Sequence, residues 1–276
     1  MGLRSFFISF IMIFAMAGVS WAAEPTVLTV GGTGSGLGVM RLLGQSYNSF
    51  HPEVSLHILP SLGSAGGIRA LRDGAIDLAI SSRLLHEKEK AGITGYLLGM
   101  SPFVFVVHPA TKVDDITKNQ LGDIYDGSIA SWQDGVQIRR ILRPAADTDW
   151  QIMRTISPEV AKALDIAQET NGLFLAVTDS DALSYIERVH GSFGPSTLAM
   201  ILAEKRSVKV LSFNGIQPGK VVPGKQYPME KQFYILIRDN ASAVVRDFID
   251  FIFSDQGKSV LAKVGITAAR GPGREQ

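Results

Sequence analysis

The sequence contains no cysteine, which excludes disulfide bonds, thiolate chemistry and a lipid anchor attached to a cysteine side chain. It also lacks an excess of either charge, since 27 lysines and arginines stand against 26 aspartates and glutamates. That balance, with no basic stripe, argues against a nucleic acid as the partner. No second long apolar run follows the N-terminal one, so we expect the mature chain to be soluble and exported.

Residues 1–23 have the pattern of a secretory signal peptide. Arg4 supplies the positive start, 6–19 form the apolar run, and Ser-Trp-Ala-Ala at 20–23 supplies small residues at the exit. An apolar run this short is typical of a cleaved signal rather than of a membrane span. With no cysteine to carry a lipid, the sequence predicts a free periplasmic protein.

A glycine-rich stretch, Gly-Gly-Thr-Gly-Ser-Gly-Leu-Gly at 31–38, separates a β-like run at 26–30 from a helical pattern that starts near Val39. Glycine lets backbone N–H groups approach a ligand closely, and a helix N-terminus offers unpaired donors and a positive dipole. The stretch therefore predicts an anion site around Gly34 and Ser35. The alternative is a tight turn in which the glycines serve only strand–helix packing.

Two phosphate-binding motifs are excluded at this loop. A dinucleotide fingerprint requires glycine three residues beyond Gly34 or Gly36, where Leu37 and Val39 stand. A P-loop requires a Gly-Lys-Ser/Thr ending, and no lysine is near. Nucleotide binding of either kind is therefore not expected.

Two further small-residue loops follow the next strand-like runs. One carries Ser64 after 54–58, and the other carries Ser82 and Arg83 after 75–80; Gly74 is placed to end the intervening helix. The order β-α-β-α-β predicts a parallel sheet, whose carboxyl ends meet at one edge where such sheets bind ligands. We expect the three loops to converge there. Arg83 is either a ligand contact or half of a salt bridge at the rim.

The remainder of the chain predicts a second α/β unit and a return to helices that pack on the first. Thr117 and Gln120 have the form of a capping box opening a helix to residue 125. The other predicted strands are 102–107, 137–142, 208–213 and 232–237, and the other predicted helices are 150 onward, 157–168, 178–190 and 241–264.

Taken in order, the motifs resemble those of the phosphate-binding periplasmic proteins of ATP-driven import systems, within the type II substrate-binding proteins. The carriers are the loops at 31–38, 63–67 and 77–83, the apolar run at 102–109, the pattern at 120–132, the strand ending at Arg143, and the segments at 227–229 and 251–257.

The resemblance implies an α/β fold of two lobes, each a mainly parallel sheet flanked by helices. Lobe 1 would comprise 24–101 plus 229–276, and lobe 2 would comprise 102–228. It also implies a monomer that holds a small oxyanion, phosphate first, between the lobes and delivers it to an ABC permease. No cofactor and no metal are implied.

By the same resemblance, Gly34, Ser35, Ser64 and Ser82 match positions that hold the anion through backbone N–H or hydroxyl groups in lobe 1. Arg143 matches the arginine that clamps the anion from lobe 2, and Arg83 follows the Ser82 position.

The chain departs from the family after Arg143. Where the family has Ser-Gly-Thr, this chain has Asp147, Thr148 and Asp149. A like-charge contact at about 4 Å costs about 4 kcal/mol at an effective dielectric near 20. The acids either accept a proton from the anion or cap a helix beginning at Trp150, with Thr148 and Gln151 as a further capping box. An organic solute with amino or hydroxyl groups is the alternative ligand.

Enzyme motifs are missing from the sequence. Neither Ser35 nor Ser64 stands in G-x-S-x-G, no S-x-x-K occurs, and the five histidines are scattered without metal-ligand spacing. We therefore expect a binding protein rather than an enzyme. Two alternatives stay open: Asp147 and Asp149 as paired catalytic carboxylates, and a sensor or orphan binder that works without a transporter.

Overall fold

The computed structural model describes residues 25–220, 224 and 226–271. The predicted signal peptide, residues 1–23, lies outside them. Within the described part of the chain, no helix is long and apolar enough to cross a membrane.

The described residues form a mixed α/β structure. The strands are β1 (Thr26–Gly32), β2 (Val54–Ile58), β3 (Leu78–Ser81), β4 (Ile93–Val107), β5 (Asp115–Ile116), β6 (Arg139–Leu142), β7 (Phe174–Leu175), β8 (Ser192–Thr197), β9 (Lys209–Val210), β10 (Ser212–Phe213), β11 (Glu230–Arg238) and β12 (Thr267–Ala268). The helices are α1 (Gly34–Asn48), α2 (Gly63–Arg72), α3 (Lys118–Asp126), α4 (Thr148–Arg154), α5 (Pro158–Glu169), α6 (Asp179–Arg188), α7 (Leu198–Glu204), α8 (Ala243–Phe253) and α9 (Asp255–Lys263).

The main sheet has the strand order β2-β1-β3-β11-β4-β8-β6-β7. Strand β1 is parallel to both β2 and β3, which confirms the predicted parallel unit. Strand β11 is antiparallel to β3 and to β4. On the far side, β4 is antiparallel to β8, and β6 is parallel to β8 and β7.

Strand β4 runs through both halves of the molecule. Its first part pairs with β11 and its last five residues pair with β8. The sequence predicted only 102–107, because Gly95 and Gly99 are unfavourable in a strand interior and hide its first part. Gly99 adopts φ +154°, and a Cβ there would lie 2.4 Å from the carbonyl oxygen of Thr267 in β12. That close approach explains why residue 99 is a glycine.

Among the described residues, the buried apolar side chains form three separate clusters. The largest cluster comes from residues 103–229 and includes Phe105, Trp150 and Phe193. Two others come from 28–98 and 233–266, with Ala199 of α7 added. We use the name lobe 1 for the elements around the two smaller clusters, namely β1–β3, β11, α1, α2, α8 and α9, and the name lobe 2 for those around the largest cluster, namely α3–α6, β6 and β7.

Several elements differ from the sequence predictions, and the short strands β5, β7 and β12 were not predicted. The predicted strand 208–213 is two short strands, because the chain leaves β4 after Val210 and joins β5 at Ser212. Strand β8 and helix α7 were not predicted, since Gly194 and Pro195 are rarely found in a central strand. The capping box of Thr117 and Gln120 at the start of α3 is confirmed.

Candidate functional site

The predicted loops meet at the carboxyl edge of the parallel strands of lobe 1. The Ser64 hydroxyl accepts from the Ser82 backbone N–H at 3.0 Å, and the two hydroxyls lie 3.1 Å apart. The Ser82 hydroxyl in turn lies 2.7 Å from that of Thr148, at the start of α4 in lobe 2. At the neighbouring loop, the hydroxyls of Thr33 and Ser35 lie 3.0 Å apart. Small hydroxyl groups therefore line the cleft from both lobes.

The N-terminus of α1 already binds an oxyanion group, and that group is a side chain of the same protein. The backbone N–H of Ser35 donates to Asp179 Oδ2 at 3.2 Å. Asp179 is the first residue of α6 in lobe 2, so this hydrogen bond joins the lobes. A Cβ on Gly34 would lie 2.9 Å from the same carboxylate oxygen, so glycine at 34 permits the approach.

Arg143 lies at the end of β6 and is almost completely buried, with 1% of its surface exposed. Its Nε and Nη2 donate to Asp147 at 3.3 and 2.8 Å, and its Nη1 donates to the carbonyl of Ala176 at 3.0 Å. Nη2 also lies 3.5 Å from Asp179 Oδ1. The guanidinium therefore faces the carboxylate held at α1.

Asp147 has two roles. Besides pairing with Arg143, it is the N-cap of α4, since its Oδ1 accepts from the Asp149 backbone N–H at 2.9 Å. One of the interpretations left open by the sequence, a capping aspartate, is thus confirmed, although the helix begins at Thr148 rather than at Trp150. The predicted capping box of Thr148 and Gln151 is wrong, because Gln151 donates instead to the carbonyl of Ala145.

Asp149 points away from the helix end and forms an ion pair with Lys231 of β11. Lys231 Nζ also lies 3.7 Å from Asp179 Oδ1. Burial raises the pKa of Asp149 to about 7, aided by the nearby Asp179 and Asp147 carboxylates and opposed by Lys231. Burial acts against ionisation of Asp179 too, but Lys231 and Arg143 outweigh it and lower the pKa of that group.

Two arginines flank the cleft on lobe 1. Arg83 donates twice to Glu89, at 2.7 and 2.9 Å, in the salt bridge that the sequence left open. The Arg83 hydrogen bond, together with the charge of that arginine, holds the pKa of Glu89 at about 2. Arg69 on α2 is exposed, and its guanidinium has no ion-pair or hydrogen-bond partner among the described residues. It is the cation of this surface that is free to meet a ligand.

A cavity of about 320 Å³ opens between these groups, a size suited to a small solute. Its polar lining includes Thr33, Ser64, Arg69, Arg83, Arg143, Asp147, Thr148 and Asp179. Among the described residues, no cluster of three or more histidines or acids is arranged to hold a metal ion.

Three charged residues of this site were missed by the sequence analysis. Lys231 has a detectable signal, because the alternation of β11 places it on the same buried face as Phe233. Asp179 has a weaker one, since Thr178 was recognised as a cap but the acid after it was not. Arg69 has none, because a charge on an amphipathic helix is usually a solvated surface residue.

Comparison with known proteins places the chain in a family. Residues 20–256 match the family described as a PBP superfamily domain, and the chain belongs to it. Its architecture is the two-lobed α/β fold of type II periplasmic binding proteins.

Particular relatives and solved structures share this architecture. Phosphate-binding protein PstS of Bacillus subtilis is 22% identical over 247 residues, which cover 86% of this chain and 79% of that protein. PstS of Borreliella burgdorferi is 22% identical over 212 residues, covering 74% and 76%.

One similar solved structure is that of a Clostridium perfringens protein assigned as a phosphate ABC transporter substrate-binding protein, with bound phosphate. Its TM-score is 0.73 at 22% identity, and the match covers 88% of this chain and 100% of that one. An ABC-type phosphate transport receptor of Vibrio cholerae has a TM-score of 0.60 at 24% identity, with the same coverage. At these identities the structures establish the fold alone.

Proposed function

We propose that the protein is exported to the periplasm, captures a small oxyanion, phosphate first, between its lobes, and delivers it to an ABC permease. The lobes would divide at 24–101 plus 229–276 and 102–228; the separate hydrophobic clusters support this division except at Ala199 and Met229, which pack in the cluster of the other lobe. The relatives named as phosphate-binding proteins support the ligand class. The permease and the periplasmic location are inferred from this family membership.

One observation carries the proposal. The donors predicted from sequence to hold an anion hold a carboxylate: the Ser35 N–H donates to Asp179, and Arg143 faces the same group at 3.5 Å. A carboxylate and a phosphate present similar oxygens to such donors. The arrangement is therefore chemically competent for an oxyanion, supplied here by a side chain.

Capture would be reversible and would involve both lobes. Lobe 1 offers the Ser35 N–H and the hydroxyls of Ser64 and Ser82, while Arg69 and Arg83 raise the local positive potential. Lobe 2 offers Arg143 and the Thr148 hydroxyl. A ligand that contacts both lobes favours the closed arrangement over the open one by its differential affinity. No step of this mechanism breaks or forms a covalent bond, so we propose a binder rather than an enzyme.

A second ligand class is favoured by the charges at the site. Three carboxylates, Asp147, Asp149 and Asp179, stand against two buried cations, Arg143 and Lys231. Asp147 is 20% exposed and lines the cavity, where it can accept from an ammonium or hydroxyl group. An organic solute with such groups is therefore the alternative.

Calorimetric titration separates these ligands. The mature chain, unfolded, washed free of bound solute and refolded, is titrated with phosphate and, as the matched oxyanion, with sulfate. Heat with phosphate supports the proposal, and heat with phosphate alone shows that the site distinguishes protonated oxyanions. No heat with either anion contradicts it. A thermal-shift panel of amino acids, amines and polyols then tests the alternative.

A further inference from the structure

We propose that Asp179 is a tethered occupant of the anion site, which bridges the lobes and which an external oxyanion must displace. The inference rests on the proposed function for the identity of the competing ligand. The contacts of Asp179 do not depend on that identity. Its carboxylate is 9% exposed and reaches from α6 in lobe 2 to the first turn of α1 in lobe 1.

The carboxylate of Asp179 is not needed to start its own helix. Thr178 is the N-cap of α6: its hydroxyl accepts from the Asp181 N–H, and the Asp181 side chain accepts from the Thr178 N–H. This reciprocal box satisfies the helix end locally. Asp179 is therefore free to make contacts across the cleft, and the contacts that it makes are those of a ligand.

Of the two carboxylates facing Arg143, Asp179 is the one that can leave. Asp147 receives two hydrogen bonds from the guanidinium and also caps α4. Asp179 lies 3.5 Å from Arg143 Nη2 and 3.7 Å from Lys231 Nζ, both beyond a good hydrogen bond, and accepts from the Ser35 N–H at 3.2 Å. Displacing Asp179 therefore breaks fewer close hydrogen bonds than displacing Asp147 does.

The charges at the site also favour the release of Asp179 rather than of Asp147 when an anion binds. While Asp179 stays in place and the pH is above the raised pKa of Asp149, about 7, the charged groups Arg143, Lys231, Asp147, Asp149 and Asp179 include one more carboxylate than cations. A phosphate dianion entering beside them meets net repulsion. Once Asp179 swings out, Arg143 keeps Asp147 and Lys231 keeps Asp149. Each remaining pair is then neutral, and the α1 terminus is free for the incoming anion.

An internal competitor lowers the apparent affinity for the external ligand by the fraction of molecules in which the site is vacated. Replacing Asp179 removes the competitor while leaving both buried cations paired, so the variants are expected to fold. Phosphate should bind Asp179→Asn and Asp179→Ala about tenfold tighter, or more, than the unaltered protein.

The experiment compares the unaltered protein with Asp179→Asn, Asp179→Ala and the control Asp181→Asn. Asp181 lies on the same turn of α6 and is exposed, and its side chain makes no hydrogen bond or ion pair across the cleft to any residue that the structure describes. Two quantities are measured: the phosphate dissociation constant by calorimetry, and the radius of gyration without ligand by small-angle X-ray scattering.

Tighter phosphate binding in both Asp179 variants, with a larger radius of gyration in Asp179→Ala and no change of either quantity in Asp181→Asn, supports the inference. An unchanged radius of gyration in Asp179→Ala overturns the bridging role. Equal or weaker phosphate binding in Asp179→Asn, in a protein that binds phosphate, overturns the competition and makes Asp179 a productive contact. If no variant binds phosphate and Asp179→Ala still expands, the phosphate proposal fails and the bridge stands.

Discussion

Lys231 and Asp149 form an ion pair that is enclosed within the protein, with side chains 0% and 2% exposed. The pair joins β11 of lobe 1 to α4 of lobe 2. Asp149 does not line the cavity, although the sequence resemblance predicted it there as a ligand-binding residue. Of the two acids that replace the family motif, one caps a helix and the other pairs with a lysine.

Removing the Lys231 side chain should strongly lower the free energy of unfolding. Lys231→Met leaves Asp149 buried beside Asp179 with less positive charge, and losing one partner of a buried pair costs about 3–5 kcal/mol. Urea unfolding measures the loss, at a pH above the raised pKa of Asp149, about 7, so that the carboxylate is ionised. The double variant Lys231→Met/Asp149→Asn should recover much of it, because no carboxylate is then left without its lysine.

The matched control is Arg154→Met, which breaks the exposed pair with Asp165 on the surface. Its effect on the midpoint of unfolding should be slight. A loss as large as that of Lys231→Met would show that burial is not what makes the Lys231 pair important.

Stability should depend on pH through Asp149. The pKa of Asp149 is raised to about 7 in the folded protein, while in the unfolded chain it is about 3.9. Between those values the folded state binds more protons, so the free energy of unfolding should fall as the pH rises from about 4 to about 7. Urea titrations at several pH values measure this slope, which Asp149→Asn should flatten. An unchanged slope in the variant would assign the titration to another group.

Arg143→Ala should lose oxyanion binding and stability together. The guanidinium is buried and makes hydrogen bonds to Asp147 and Ala176, so its removal leaves an acid without its partner at a cost of about 3–5 kcal/mol. Arg143→Lys keeps the charge but loses the forked geometry, and should retain the fold with weakened binding. Calorimetry on samples verified as folded by circular dichroism checks both. Unaltered affinity in Arg143→Lys and Arg143→Ala would remove Arg143 from the site.

Asp147→Ser should strengthen phosphate binding. Serine remains a good N-cap for α4, so the change mainly releases Arg143 from its carboxylate. Asp147→Ala releases the arginine but also removes the cap, costing about 1 kcal/mol of stability. Both should bind phosphate more tightly, while only Asp147→Ala should lose the cap. Weaker binding in both would mean that Asp147 contacts the ligand productively.

Gly34 and Asp179 should be energetically coupled. An added Cβ at Gly34 would meet Asp179 Oδ2 at 2.9 Å, so Gly34→Ala should lower the melting temperature. In the Asp179→Ala background the same substitution should cost less, because the oxygen is gone. A double-mutant cycle measured by thermal unfolding gives the coupling. Additive effects would place the strain at Ser61, whose hydroxyl lies 3.0 Å from the same position.

Much of the fold could be predicted from the sequence, because most helices and strands have a recognisable local sequence pattern. The alternation at Val54–Ile58, the capping box at Thr117 and the glycine at 74 each predict an element or its end, and all three predictions are confirmed. Predictions failed where tertiary contacts override local preference. The first half of β4 contains glycines that β11 and β12 accommodate, and Pro195 lies within a fully buried strand.

The site was anticipated only in part, for a physical reason. The positions of Ser64, Ser82 and Arg143 follow from strand ends, which sequence patterns locate well. The partners of charged side chains do not follow from such patterns. Arg143 meets Asp179 from 36 positions along the chain, and Lys231 meets Asp149 from 82 positions away. Such pairings are set by how the lobes come together.

The most direct test of the account is a crystal structure of the protein grown or soaked in phosphate, with sulfate excluded from the crystallisation. We expect phosphate to be bonded to the Ser35 N–H and to face Arg143, with the Asp179 carboxylate turned away and Lys231 still paired with Asp149. Asp179 retained on Ser35 at saturating phosphate, with no anion in the cleft, would contradict it.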